Sequence, residues 1–66
     1  MDVTSLIIQS DSSIKLAMNQ IDKSGIGFLF IVDLEDKMIG IISDGDIRRQ
    51  LLKDDDLNRE VDLFMN

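Results

Sequence analysis

Residues 26–47 read IGFLFIVDLEDKMIGIISDGDI, and this stretch determines the fold. The run from Ile26 to Val32 contains no polar side chain, which predicts a strand covered on both faces. Residues 33–37 are mostly charged and predict a turn, after which residues 38–42 predict a second strand. Because the turn is short, we expect the two strands to form an antiparallel hairpin.

The hairpin leads into a helix that we expect to end near Lys53. Ser43 and Asp44 can both accept hydrogen bonds from the free N–H groups of a helix start. Helical spacing places Arg48 and Arg49 toward water. Three apolar residues are expected to form the inward side of this helix: Ile47, Leu51 and Leu52.

The residues before residue 26 predict one more strand and one more helix. A brief strand is expected at residues 6–8, and a helix from about Ser12 to Lys23. Four apolar residues share one face of that helix: Ile14, Ala17, Met18 and Ile21. Gly25 lies where a left-handed C-terminal cap would lie. The predicted order is β-α-β-β-α, an α/β (α+β) fold with a small sheet backed by two helices.

The composition predicts one small domain with more apolar residues than it can bury. A chain of 66 residues buries only about 60% of the surface that its unfolded form exposes. Yet 44% of the residues are apolar, including ten Ile and eight Leu, which favours a partner or a second copy. Phe28 and Phe30 share one strand face by period 2 and are expected in the core.

Several functional classes are excluded by composition. A net charge of −6 and only three Phe argue against nucleic-acid binding. No apolar run approaches the length of a membrane span and no signal peptide begins the chain, so we expect a cytoplasmic protein without membrane contact. With no His and no Cys, catalysis would rest on carboxylates or hydroxyls, and a free-standing enzyme of this size is improbable. We expect no catalytic residues, no metal site and no required cofactor.

The junction between the second hairpin strand and the last helix carries the candidate chemistry. Backbone N–H groups at a helix start favour an anion, and Ser43 can add a hydroxyl donor. Asp46 can accept hydrogen bonds from two vicinal hydroxyls of a sugar. Arg48 and Arg49 add positive charge, so the group suits a ribose with a phosphate. The alternative is that Ser43 and Asp44 merely cap the helix.

Residues 40–47 resemble the motif that ends a CBS domain. The family pattern is Gly, two apolar residues, Ser or Thr, two variable residues, Asp and an apolar residue, which the segment Gly-Ile-Ile-Ser-Asp-Gly-Asp-Ile matches. Residues 10–14 resemble the first strand-to-helix turn of the family, and residues 31–33 with 37–40 resemble its hairpin. The resemblance covers residues 5 to 65 and includes the order β-α-β-β-α.

The resemblance implies an adenosine-nucleotide site. In CBS modules the Ser/Thr and the Asp of this motif contact phosphate and ribose, which maps to Ser43 and Asp46, with AMP, ADP or ATP as ligand. The base lies in an apolar slot, which here would be lined by Ile7, Ile8, Ile26 and Gly27. Many nucleotide-binding members carry Pro near the start of the second strand, where this chain has Phe28-Leu29.

A finer resemblance concerns the parent protein. Residues 43–53 look like CBS domains attached to bacterial sugar-nucleotidyltransferases and arabinose-5-phosphate isomerases, where the domain is a regulatory accessory. Residues 1–66 would then be a single motif, with residues 61–66 similar to the linker toward a second motif. Because CBS motifs occur in pairs, the resemblance implies a homodimer through CBS–CBS pairing.

Two other functions are alternatives to nucleotide sensing. The first is a CBS fold that binds no ligand and serves only for dimerisation. The second is an enzyme, because an apolar run before Asp44-x-Asp46 superficially resembles the start of a haloacid-dehalogenase-type phosphatase, with Asp44 as nucleophile and Asp46 as acid/base. That chemistry needs Mg²⁺ and a much larger sheet, and Arg48 stands where that family prefers Thr or Val.

Overall fold

The computed structural model describes residues 3–63. The five main elements are the strands β1 (Ile7–Gln9), β2 (Phe28–Val32) and β3 (Met38–Ser43) and the helices α1 (Ile14–Ser24) and α2 (Asp44–Lys53). Short 3-10 turns cover Val3–Leu6 and Val61–Leu63. The order β-α-β-β-α is the predicted one, and β2 begins two residues later than predicted.

The three strands form one sheet in the order β1-β2-β3. The central strand β2 is parallel to β1 and antiparallel to β3, so the predicted hairpin is confirmed. Its turn is organised by Asp33, whose Oδ1 accepts hydrogen bonds from the backbone N–H groups of Glu35 at 2.8 Å and Lys37 at 3.0 Å. An aspartate that bonds to the backbone ahead of it is a common turn device.

Helix α1 begins and ends within two residues of the predicted positions. Ser13 has extended backbone geometry, and its side chain accepts a hydrogen bond from Leu16 N at 3.1 Å. Gly25 has φ 71° and donates its N–H to Ile21 O at 2.9 Å. The predicted left-handed cap at Gly25 is therefore confirmed, and such a cap favours glycine because it has no Cβ.

Both helices lie on one face of the sheet, and the core lies between them and the sheet. Ile47 is buried and Leu51 packs against the core, as predicted. Leu52 is 84% exposed, so its predicted inward position is wrong; it lies one residue, about 100°, further around the helix than Leu51. The core residues are Ile8, Ile14, Ala17, Ile21, Leu29, Ile31, Ile42, Ile47 and Val61.

Within residues 3–63, no helix or strand covers the other face of the sheet. Leu29 and Ile31 point into the core and are fully buried, whereas Phe28 and Phe30 alternate to the opposite face and are half-buried. The prediction that β2 is covered on both faces and that Phe28 and Phe30 lie in the core is therefore wrong for residues 3–63. We call this surface the open sheet face, and its residues are Ile7, Phe28, Phe30, Met38 and Ile41.

The C-terminal segment packs back against the start of α1. Val61 is fully buried, and its N–H donates to Ser12 O at 2.9 Å. Ile14 N donates to Arg59 O at 2.9 Å, so the backbone of this segment satisfies a free N–H group of α1. The predicted linker at residues 61–66 lies partly outside the described residues, and its role as a connection stays a prediction. None of the helices within residues 3–63 is long and apolar enough to cross a membrane.

Candidate functional site

The start of α2 is closed by reciprocal hydrogen bonds between Ser43 and Asp46. The N–H of Asp46 donates to Ser43 Oγ at 3.1 Å. In return, the Asp46 Oδ2 atom accepts from Ser43 N at 3.0 Å and from Ser43 Oγ at 2.9 Å. This is a capping box, in which two otherwise free backbone donors are satisfied by the partner's side chain. Ser43 therefore caps α2, as predicted.

Both arginines of the candidate site pair with carboxylates of their own helix. Arg49 Nη2 lies 2.5 Å from Asp46 Oδ1, and Arg48 Nη2 lies 2.6 Å from Asp44 Oδ2. The side chains of Arg48 and Arg49 are 73% and 70% exposed, as predicted. Their charge is therefore balanced locally before any phosphate arrives.

Asp46 lies in the first turn of α2 with its side chain largely buried. Its side chain is only 8% exposed, because Ser43 lies against one carboxylate oxygen and Arg49 against the other. The Ser43 hydroxyl has a single proton, and that proton is donated to Asp46. A ligand that accepted a hydrogen bond from the Ser43 hydroxyl or bound the Asp46 Oδ1 atom would have to displace the partner that the atom already has.

Gly27 lies directly beside the start of α2. The N–H of Asp44 donates to Gly27 O at 2.9 Å, and Phe28 pairs with Ser43 in the sheet. A cleft of about 510 Å³ opens at this point between α1, the loop before β2 and the start of α2. The cleft is lined by Met18, Asn19, Ile21, Asp22, Gly25, Gly27 and Asp44.

The lining of this cleft includes residues that the sequence reasoning did not select. Asp22 and Asp44 make the lining acidic, and Asn19 adds an amide. The sequence places Met18 on the apolar face of α1, but its side chain is 40% exposed because it borders the cleft. The spacing of Met18 and Asp22, one helical turn apart, was the available signal that both lie on one side of α1.

The apolar residues proposed for the base slot are not brought to one surface. Ile8 is 3% exposed and belongs to the core, whereas Ile7 is 37% exposed on the open sheet face. Neighbouring residues of a strand point to opposite faces, so these two cannot line the same slot. Ile26 is half-buried in the loop before β2. Ile7 instead borders a shallow groove of about 260 Å³ together with Phe30, Val32, Asp36 and Met38.

The acidic loop after α2 is held by an arginine. Arg59 Nε donates to Asp54 Oδ2 at 2.9 Å, and Asp54 and Asp56 also accept hydrogen bonds from nearby backbone N–H groups. Within residues 3–63, no group of three or more acidic, His or Cys side chains could hold a metal ion.

The fold and the motif at the start of α2 define the class of this protein. The CBS domain family model matches residues 1–53. The chain therefore belongs to the CBS domain family, and the resemblance of residues 40–47 is confirmed.

A curated relative is an uncharacterized protein of Helicobacter pylori (strain ATCC 700392 / 26695). It is 34% identical over 58 residues, which make up 88% of this chain but 18% of the relative. The chain thus spans about a fifth of the length of that relative.

Solved structures share the fold at lower identity. A CBS-domain containing protein from Agrobacterium tumefaciens has a TM-score of 0.86 at 21% identity, over 92% of this chain and 47% of that one. A CBS domain protein from Pyrobaculum aerophilum complexed with AMP has a TM-score of 0.85 at 16% identity, over 92% and 48%. The Listeria monocytogenes CbpB protein in complex with c-di-AMP has a TM-score of 0.80 at 22% identity, over 91% and 49%. This chain therefore spans about half the length of each of these structures.

Proposed function

We propose that this chain is one half of a paired regulatory module whose ligand is an adenosine nucleotide. The observation that carries the proposal is the position of Ser43 and Asp46, the polar residues of the family motif, on the first turn of α2 beside the backbone of Gly27. Structures of the same fold from Pyrobaculum aerophilum and Listeria monocytogenes are complexes with AMP and c-di-AMP, which supports this ligand class.

The chemistry at the start of α2 fits a ribose better than a highly charged phosphate chain. The Asp46 carboxylate can accept hydrogen bonds from the 2′- and 3′-hydroxyls, and the positive end of the α2 dipole favours one anionic group. Asp44 lies at the same helix start, and Asp22 lies with it along the adjacent cleft. Since carboxylates repel phosphate, we expect AMP to bind more tightly than ATP.

The open sheet face is the surface through which we propose that the module pairs. It consists of apolar side chains of all three strands, and Ile41 and Met38 are 40% and 64% exposed on it. The solved structures of this fold have room for a second motif, because this chain covers only 47–49% of them. In the absence of an attached second motif, a second copy of this chain would cover the face and give a homodimer. Ile7 lies on this face, so a base packed against it would lie in the interface.

We further propose a cytoplasmic parent protein in which the module controls a sugar-phosphate enzyme. Residues 43–53 support this through their similarity to CBS domains attached to sugar-nucleotidyltransferases and arabinose-5-phosphate isomerases. In that setting the module contributes regulation, and the catalytic residues belong to the enzyme domain.

A second function, pairing without a ligand, is favoured by one specific observation. Ser43 and Asp46 already bond to each other, and Asp46 pairs with Arg49 as well. The capping box therefore accounts for both motif residues through helix stability, with no ligand needed.

Calorimetric titration of AMP at millimolar concentration separates the two functions. For the nucleotide module we expect heat from the wild type and binding about tenfold weaker or more for Asp46→Ala, because a charged acceptor contributes about 1.5–3 kcal/mol per hydrogen bond and each 1.4 kcal/mol is tenfold. Asp44→Ala is the matched control, since Asp44 lies in the same helical turn but pairs with Arg48; it should not weaken AMP binding. Absence of heat from the wild type would favour pairing without a ligand.

A further inference from the structure

We infer that the Arg49 side chain covers the Asp46 carboxylate and acts as a gate. A ribose must displace Arg49 before it can bind to Asp46. This inference rests on the proposed function, in which Asp46 accepts the ribose hydroxyls. It assigns Arg49 a role opposite in sign to a phosphate-binding residue, because a gate competes with the ligand and a phosphate-binding residue attracts it.

The first step of the argument concerns the two oxygens of the Asp46 carboxylate. Oδ2 already accepts two hydrogen bonds from Ser43, one from its N–H and one from its hydroxyl. A carboxylate oxygen has two lone pairs, so an incoming hydroxyl pair must use Oδ1. Oδ1 is the oxygen that Arg49 Nη2 holds at 2.5 Å. Ribose and Arg49 therefore compete for the same atom.

The second step concerns how the guanidinium lies on the helix. A Cβ built on Gly45 would lie 3.6 Å from Arg49 Nη1, so the arginine folds back over the first turn of α2. The guanidinium thus reaches Asp46 from the solvent side and covers a carboxylate that is itself only 8% exposed.

The third step is that this cover can be removed at little cost. The Arg49 side chain is 70% exposed and returns to water when it leaves, but the Asp46 carboxylate is only 8% exposed, so the value of about 0.2–1 kcal/mol for an exposed ion pair is a lower bound for this one. Removing the competitor should therefore tighten ribose binding by about 1.4- to 5-fold or more, since each 1.4 kcal/mol is tenfold. Asp46 keeps its two hydrogen bonds to Ser43 when Arg49 leaves, so the acceptor stays in position.

The test uses adenosine, which has the ribose but no phosphate, so that any phosphate-binding role of Arg49 does not contribute. Arg49→Met should bind adenosine about 1.4- to 5-fold more tightly than the wild type, or more, in a calorimetric titration. Arg48→Met is the matched control, because Arg48 is equally exposed and pairs with Asp44 instead; its adenosine affinity should equal that of the wild type. With 2′,3′-dideoxyadenosine, the gain in Arg49→Met should disappear.

The outcomes distinguish the gate from the proposed function. Adenosine or AMP binding to the wild type with equal or weaker adenosine binding to Arg49→Met would overturn the gate and leave the nucleotide module standing. A gain in Arg49→Met that persists with 2′,3′-dideoxyadenosine would also overturn the gate, because the ribose hydroxyls would not be involved. If neither adenosine nor AMP binds to the wild type or to Arg49→Met, the proposed function fails, and the gate fails with it.

Discussion

Ser43 and Asp46 bond to each other in both directions, with the Asp46 N–H on Ser43 Oγ at 3.1 Å and the Ser43 N–H on Asp46 Oδ2 at 3.0 Å. The same two side chains are the polar residues of the CBS motif at the start of α2. Helix capping and ligand binding would therefore draw on the same two side chains. A substitution at either residue changes the free energy of unfolding as well as any affinity, so the two effects must be measured separately.

We expect Asp46→Ala to lower the free energy of unfolding by about 0.5–2 kcal/mol, the usual cost of losing a helix cap. The loss leaves the Ser43 N–H without its acceptor and removes the partner of Arg49. Urea unfolding followed by circular dichroism measures the change. Asp44→Ala is the control, because Asp44 is 57% exposed, and its effect should be smaller. An equal loss in both variants would mean that the capping box contributes no more than the negative charge at the helix start.

Two glycine substitutions should have opposite effects on stability. Gly25→Ala forces a side chain into the left-handed region, at φ 71°, and should cost about 1–2 kcal/mol. The space around Gly25 is open, so this cost comes from the backbone alone. Gly45→Ala should instead stabilise α2 by about 0.5–1 kcal/mol, because Gly is a poor helix former.

Thermal unfolding of both variants beside the wild type checks these signs. A new Cβ at Gly45 would meet Arg49 Nη1 at 3.6 Å and Ser43 Oγ at 3.7 Å, both ordinary van der Waals distances. A loss of stability in Gly45→Ala would show that the added methyl disturbs the arginine or the capping box.

Local signals in the sequence predict the helices and the hairpin well. Gly25 and Ser43 lie at helix ends that the structure confirms, because capping depends on a few neighbouring residues. The charged turn of residues 33–37 likewise predicts the hairpin from its length alone. These features can be predicted without knowing how the helices pack on the sheet.

Features that depend on packing and on side-chain direction could not be predicted. An apolar run such as residues 28–32 has the same sequence pattern whether one face of the strand is covered or both faces are. The sequence therefore does not reveal the open sheet face. In a strand of three residues, a shift of one position decides whether Ile7 or Ile8 faces the core. The contact of Arg49 with Asp46 depends on rotamers, and the sequence spacing allows it without requiring it.

The C-terminal segment should be necessary for stability, although it lies beyond the residues 1–53 that the family model matches. Val61 is fully buried in the core, so Val61→Ala should cost about 1.6 kcal/mol for two methyl-sized groups, and more for the cavity left behind. Leu63→Ala, at a position that is 64% exposed, is the control and should change little. Chemical denaturation compares them, and equal midpoints in the two variants would contradict the packing of this segment on α1.

Pairing through the open sheet face is testable by a charge placed on it. Ile41 lies on the edge strand β3 opposite Phe30 and is 40% exposed, so Ile41→Lys should leave the single chain folded. Burying an unpaired ammonium group in an apolar interface is strongly unfavourable, and we therefore expect the variant to sediment as a 7.5 kDa monomer at concentrations where the wild type is a dimer. Leu52→Lys is the matched control, because Leu52 lies in the helical layer and is 84% exposed; it should remain dimeric. Sedimentation velocity at micromolar concentration, with circular dichroism to verify folding, measures all three proteins.

Two outcomes would contradict pairing through the open sheet face. A wild type that is a folded monomer would exclude a stable homodimer. A monomeric Leu52→Lys beside a dimeric Ile41→Lys would place the interface on the helices.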